Sequence, residues 1–335
     1  MNISAKTVSQ KDVAKLAGVP RSAVSMYINE YPGLSISSQD RIRAAIKKLD
    51  YRPSRIAKSL KENRSLLIGI VYFASPSGTI HDFVLLDLIQ GVQKAALEEN
   101  YVVCFFLKEN MSMEETLTNV LKCNVEGIVF IEDNFDHEQI RNLDIPKVVI
   151  NRKVEGIPSV FSDMSEGTYL TTRYLLSLNH RKIGFIGGKF AEETFQQRWT
   201  GYEKALVEAG IKADERFIRH EIMDNKESYL AAMDFFRNKE IPSAIVCDND
   251  LKAWGVMDAV KDSGLTVPED VSVIGFDNIT ACTHMAPPLT TVEHPRKEIG
   301  YQGGKLLLKI IKEKIKGKNL EVPIRLIKRK SCKKI

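Results

Sequence analysis

A small all-helical head followed by a two-lobed α/β core is the fold class that this sequence predicts, and three observations predict it. Apolar residues recur at helical spacing on both sides of Gly18. The basic surplus is confined to the first 64 residues. From Ser65 onward, short apolar runs alternate with amphipathic stretches, the pattern of strand and helix in turn.

In the head, Val13, Leu16 and Ala17 fall on one helical face, Gly18 supplies a turn, and Val24, Tyr27 and Ile28 resume the periodicity on a second short helix. That spacing predicts a helix-turn-helix. Ser9 followed by Asp12 reads as an N-cap with a carboxylate at the third helical position, so the first helix starts near Gln10. Pro32-Gly33 marks a loop, and Ser35 caps a third helix through Arg41, Ile42, Ala45, Ile46 and Leu49. The second helix shows Arg21, Ser22 and Ser25 away from its apolar stripe, which suits entry into a DNA major groove; a plain helical hairpin packed into a core is the alternative. After Tyr51 comes a break at Arg52-Pro53-Ser54, then two turns of weakly helical basic sequence ending at Arg64. A helix so short is marginal alone in water and needs a partner.

Charge separates the chain into two parts. Residues 1–64 hold 13 Lys or Arg against 5 Asp or Glu, a net +8; the whole chain carries +5, which leaves the remaining 271 residues at −3. A basic surplus held in one small unit is the electrostatic footprint of phosphate binding. The longest apolar runs, such as residues 102–107, fall far short of the roughly 20 residues of a membrane helix. The first residues lack a charged-then-apolar leader pattern, and the expectation is a cytoplasmic protein without a membrane partner. Five scattered cysteines, an odd number without close pairs, read as reduced thiols, with Cys104 and Cys247 in the core.

The core begins with a continuous apolar strand over 66–73, a helix over 83–99 and a strand over 101–107. A helix over 116–123 precedes a strand over 127–131, and 148–150 follows Pro146 as another strand. A second series starts near Ser162: helices over 168–178, 199–209 and 251–263 alternate with strands over 182–186, 244–247 and 271–275. Runs apolar on both faces and separated by helices indicate parallel sheets covered on both sides. Two such lobes in tandem place a ligand cleft outside the carboxyl ends of the strands. The stretch 297–315 is amphipathic, and no heptad run follows it, so a dimer is expected rather than a tetramer.

Residues 9–332 resemble the lactose-repressor (LacI/GalR) family of transcription regulators. The pieces that carry the resemblance are Asp12-Val13-Ala14-Lys15-Leu16-Ala17-Gly18-Val19, Ala23-Val24-Ser25 with Asn29, Tyr51-Arg52-Pro53-Ser54 leading to Ala57-Lys58-Ser59-Leu60, and Ile68-Gly69-Ile70. The resemblance implies a DNA-binding head over 1–52, a hinge helix and linker over 53–64, and a core over 65–335 of two periplasmic-binding-protein-like lobes. Lobe 1 is expected at about 65–161 and 292–325, lobe 2 at about 162–291 and 326–335. It further implies a homodimer on palindromic operator DNA, with Leu60 of the hinge inserted into the minor groove.

By the same resemblance the DNA-facing set is Ser9, Arg21, Ser22, Ala23, Ser25, Met26, Asn29, Ser54, Ala57, Lys58 and Leu60. Arg21 offers a bidentate contact to guanine, and Met26 only apolar contact. Pro20 and Met26 depart from the family, which commonly has Ser or Thr at the first position and often Arg or another polar residue at the second. The effector set is Phe73, Asn151, Arg152, Phe195, Arg198, Asn249 and Asp277, with Asp163 and Asp250 at matching positions. A helix cap or a lobe-packing partner is the competing role for each. Asn151 stands where the family frequently has Asp, and Met164 where Asn is common. The expected ligand is a sugar or a sugar derivative, a phosphorylated sugar being considered because Lys189, Arg152 and Arg198 are basic.

Other function classes fit less well. Gly184-Phe185-Ile186-Gly187-Gly188 only echoes a dinucleotide turn, and no Walker loop, nucleophile elbow or metal cluster occurs, so neither catalysis nor a cofactor is expected. The six histidines, His81, His137, His180, His220, His284 and His294, are spread out, with surface or capping roles expected. A solute-binding protein would use the same two lobes, but the basic head argues against it. Whether ligand releases DNA, or a small or protein corepressor strengthens binding, stays open.

Overall fold

The computed structural model describes residues 8–29, 31–51, 64–73, 82–108, 112–131, 136–190 and 192–335. The chain divides into two compact units, residues 1–65 and 66–335.

The head unit holds α1 (Gln10–Ala17), α2 (Arg21–Ile28) and α3 (Ile36–Lys48). Asp12 accepts hydrogen bonds from the backbone N–H and hydroxyl of Ser9 at 2.8 and 2.7 Å, which fixes the start of α1. Gly18 ends it in the left-handed region at φ 62°, which glycine enters without a Cβ penalty. Ser35 caps α3 by accepting from Ser38 N–H at 3.3 Å. Val13, Ala14, Ala17, Val24, Ile42, Ala45 and Tyr51 form the core. Leu16 does not join it and is 44% exposed. At 100° per residue, Val13, Ala14 and Ala17 share one face while Leu16 points well away from its centre.

The core unit carries two parallel sheets. Lobe 1 runs β1 (Leu67–Phe73), α4 (Asp82–Glu98), β2 (Val102–Lys108), α5 (Met113–Lys122), β3 (Gly127–Ile131), α6 (His137–Asn142), β4 (Lys147–Ile150) and β5 (Ser159–Phe161). Lobe 2 runs α7 (Met164–Ser177), β6 (Ile183–Ile186), α8 (Glu193–Glu208), β7 (Ile218–Arg219), α9 (Asn225–Phe236), β8 (Ala244–Cys247), α10 (Asp250–Asp262) and β9 (Ser272–Ile274). The chain then returns through β10 (Thr291–Glu293), α11 (Arg296–Glu313), β11 (Leu320–Glu321) and β12 (Arg325–Ile327). Sheet order is β11-β5-β4-β3-β1-β2 in lobe 1 and β7-β6-β8-β9 in lobe 2, and β10 pairs antiparallel with β12.

Alternation along the lobe 1 strands fills both faces. Ile68, Ile70, Val129 and Ile131 pack beneath α4 and α11, whereas Val71, Ile128 and Phe130 pack with Leu117 and Val120 of α5 and Ile140 of α6. Helices α4 and α11 touch backbone to backbone. A Cβ on Gly300 would stand 2.1 Å from Leu88 O, and one on Gly91 2.2 Å from Lys297 O. The end of the chain rejoins lobe 2, where Ser331 Oγ donates to Val273 O at 2.6 Å.

Several details differ from the sequence reading. α8 begins at Glu193, six residues before the expected start, and α6 and α9 were not anticipated. Cys247 is buried but Cys104 is only half-buried on β2. His180 and His294 are buried: His180 bridges Ser243 Oγ at 2.9 Å and Lys333 O at 3.0 Å, so it ties the C-terminal segment to lobe 2. Among the described residues, no helix is long and apolar enough to cross a membrane.

Candidate nucleic-acid interface and ligand cleft

On the head, α2 starts directly after Pro20, whose fixed φ of −62° suits the residue before a helix but brings no side-chain cap. Arg21 and Ser22 at its start, and Ser9 before α1, are exposed; Ala23, Ser25 and Met26 are half-buried. Asn29 turns back on its own helix, where Nδ2 donates to Ser25 O at 2.7 Å. Arg43 Nε donates to Tyr27 Oη at 3.2 Å and so ties α3 to α2. Ser54, Ala57, Lys58 and Leu60 lie outside the described residues.

In the core, a cleft of about 360 Å³ lies between the lobes. Lobe 1 lines it with Asn151, Arg152, Lys153, Phe161 and Glu321, lobe 2 with Glu193, Thr194 and Gln197 from the first turns of α8, and the crossing segment with Ser162 and Asp163. Strand β4 is followed directly by Asn151, which takes the left-handed backbone at φ 75°, and its buried Oδ1 has no hydrogen-bond partner among the described residues. Arg152 reaches across to an ion pair with Glu193 of α8. Asp163 caps α7 by accepting from Ser165 and Glu166 N–H at 2.8 and 3.1 Å while its residue borders the cleft.

One residue further along both elements lies a second polar group. Arg198 follows Gln197 on α8 and approaches Met164 Sδ at 3.9 Å. Its Nη2 is 3.3 Å from Asp277 Oδ1, its guanidinium lies 4.1 Å from the Phe276 ring centroid, and it donates to Asp248 O. Asp277 also meets Arg296 Nη2 at 2.7 Å. His294 is buried beside Arg296 and Arg198, and burial with those two cations drives its pKa well below the ordinary value, so the imidazole is neutral. Arg296, His294 and Phe276 belong to no periodic pattern that marked them, and Glu193 precedes the helix expected from residue 199, so no sequence signal marked it either.

Other expected ligand residues are engaged elsewhere. Phe195 is 2% exposed, within an aromatic group of Phe185, Phe190, Trp199, Tyr202 and His220. Asn249 caps α10, accepting from Lys252 N–H at 2.9 Å. Asp250 is fully buried, accepts from Thr291 Oγ1 at 2.5 Å and Ile279 N–H at 2.9 Å, and has its pKa pushed up to about 7 by burial and by Asp277. Phe73 closes β1, and its side chain is outside the described set. Lys189 is half-buried on the loop after β6, and Trp254 is exposed on α10.

Comparison with known proteins matches both units. Residues 9–54 fit the profile of bacterial regulatory proteins, lacI family, and residues 172–332 that of a periplasmic binding protein-like domain. The chain is 32% identical over 312 residues to the HTH-type transcriptional repressor PurR of Vibrio atlanticus (strain LGP32), covering 91% of this chain and 92% of that protein. To the PurR repressor of Haemophilus influenzae (strain PittEE) it is 31% identical over 336 residues, 97% of this chain and 98% of that one. Among solved structures, the lac repressor dimer bound to operator and the anti-inducer ONPF superposes with a TM-score of 0.79 at 26% identity, over 97% of this chain and 99% of that one. A complex of the transcriptional regulator CelR with cellobiose gives 0.70 at 25% identity, over 97% and 99%.

Proposed function

The chain belongs to the lacI family of bacterial regulatory proteins and is a DNA-binding transcriptional repressor under small-ligand control; from that premise we infer that two copies bind a palindromic operator and that the ligand sits between the lobes of each core. The observation that carries this reading is the presence, on one chain, of a helix-turn-helix with Arg21 and Ser22 exposed at the start of α2 and a two-lobed core with a polar cleft. Arg21 and Ser22 read base edges, while Ser9, Ala23, Ser25 and Met26 lie beside them; Asn29 shapes the end of α2. Ser54, Ala57, Lys58 and Leu60 are assigned to the operator on the sequence resemblance alone.

For the ligand, Asn151 and Arg152 line the cleft itself, and Arg198 and Asp277 form the polar group behind it. A carboxylate, an amide and guanidinium groups at one lobe junction suit a small, densely hydroxylated or amide-bearing molecule, for which a sugar is one candidate. Ligand acts by preferring one arrangement of the lobes, and its influence on DNA equals its difference in affinity between the arrangements.

The test is selection of operator sequence from a random DNA pool by the full chain at fixed salt. Recovery of a short palindrome supports the dimeric operator reader. Failure to enrich any sequence, with and without a metabolite extract added as a source of corepressor, overturns it.

A further inference from the structure

The charges of the cleft point to an uncharged ligand, and one residue stands out as enforcing it. This inference rests on the reading that the cleft holds the ligand. Two cations line the cleft, Arg152 and Lys153, against three carboxylates, Asp163, Glu193 and Glu321. The Arg152 side chain is only 10% exposed, and Glu193, 47% exposed at the start of α8, pairs with it from the opposite lobe. Arg198, the next cation along α8, is already paired with Asp277.

An anionic ligand would therefore find Arg152 and Arg198 each already facing a carboxylate of the chain. To reach Arg152 it would have to displace a carboxylate fixed in the chain, and it would then share the cleft with Asp163 and Glu321. Like charges in a partly desolvated cleft repel strongly enough to reject a ligand that otherwise fits. The acceptor Asn151 Oδ1, buried without a partner among the described residues, asks for the reverse chemistry, a donor such as a hydroxyl or an N–H.

We propose that Glu193 is a specificity-determining residue: its carboxylate occupies Arg152 across the cleft, so that uncharged donor-bearing ligands are accepted and phosphate esters and carboxylates are refused. This excludes the phosphorylated sugar considered from the sequence. The arrangement is a filled anion site, with the occupant supplied by the protein.

Inorganic phosphate is the probe. It is titrated by calorimetry into the full chain, into Glu193→Gln, into Glu193→Asp and into the double variant Glu193→Gln with Arg152→Gln, at constant ionic strength. Glu193→Gln should bind phosphate about tenfold more tightly than the parent. Glu193→Asp, which keeps the charge, should stay as insensitive as the parent, and the double variant should lose the gain. Equal phosphate affinity in the parent and Glu193→Gln overturns the proposal, as does a gain that survives loss of Arg152. Melting curves in chloride confirm that each variant is folded. A parallel melting-shift screen of uncharged metabolites on the parent and on Asn151→Gly, which tolerates the left-handed backbone, separates the two levels. A hit lost in Asn151→Gly without any phosphate gain in Glu193→Gln overturns only the role of Glu193. With neither a hit nor a gain, the reading of the cleft falls as well.

Discussion

Asp277 and Arg296 meet at 2.7 Å where the chain turns back into lobe 1, and the same carboxylate oxygen is 3.3 Å from Arg198 of lobe 2. One carboxylate thus holds two guanidinium groups, one on the helix that completes lobe 1 and one on α8. All three side chains are 14% exposed or less, so the pairings act in a weakly screened setting.

Replacing Arg296 with Met should destabilise the core unit by roughly 3 kcal/mol, the low end for removing one partner of a buried pair, since Arg198 still compensates Asp277. Urea unfolding followed by circular dichroism measures it. A loss below about 0.5 kcal/mol would show the pair to be worth no more than a surface contact.

Asp250 makes the stability of the core depend on pH. Its folded pKa of about 7 lies above the usual 3.8, so the folded state binds the proton more tightly than the unfolded chain. The contribution is full below the unfolded pKa and is lost as pH rises toward 7, with an upper limit of about 4 kcal/mol. The neutral histidines His180, His220 and His294, with lowered pKa values, act in the opposite sense. The informative quantity is therefore the difference between the parent and Asp250→Asn, measured by urea unfolding from pH 4.5 to 7.5. That difference should shift steadily in favour of the variant as pH rises; parallel profiles would contradict the assignment.

Gly300→Ala should cost about 1–3 kcal/mol or more, because its methyl group would enter the carbonyl of Leu88 at 2.1 Å and force α4 and α11 apart. The melting temperature reports it. Gly210→Ala, where nothing lies within 4 Å but φ is +68°, is the control for backbone strain without a clash.

Arg21→Ala should cost about 1–3 kcal/mol on the best operator and relax preference at a single base pair. Fluorescence anisotropy on the selected site and its single-base variants, at one salt concentration, separates this from a phosphate contact, for which affinity would fall equally on every sequence.

How much of this was legible depended on local signals. Strands β3 and β8 were read at their observed bounds because every residue in them is buried, so continuous apolar runs mark them. The capping box at Ser9 and Asp12 and the left-handed Gly18 likewise announce themselves in a few residues. Helix α9 escaped because its first four residues, Asn225, Lys226, Glu227 and Ser228, show no apolar stripe, and β11 has only two residues, held by its neighbour β5. In the site, Asn151 and Arg152 follow a recognisable strand, and Arg198 and Asp277 rest on the family resemblance. Arg296 lies 98 residues beyond Arg198, and only the folded chain brings both to Asp277. For Asn249 and Phe195 the sequence offered a cap or packing role beside the ligand role, and the fold shows the cap at Asn249 and the buried ring at Phe195, since a cap and a core ring share the composition of a ligand site.

The return of the chain to lobe 1 also sets an order of completion during synthesis. Leu307 and Leu308 of α11 cover the sheet face formed by Ile68, Ile70, Val129 and Ile150, and β11 closes its edge against β5. A nascent chain that has emerged only as far as β9 owns every strand of the lobe 2 sheet but covers one face of the first-made sheet with α4 alone. The first-made sheet of the core therefore waits for α11, so a stop codon anywhere before residue 296 should yield a product drawn to chaperones and proteases through lobe 1.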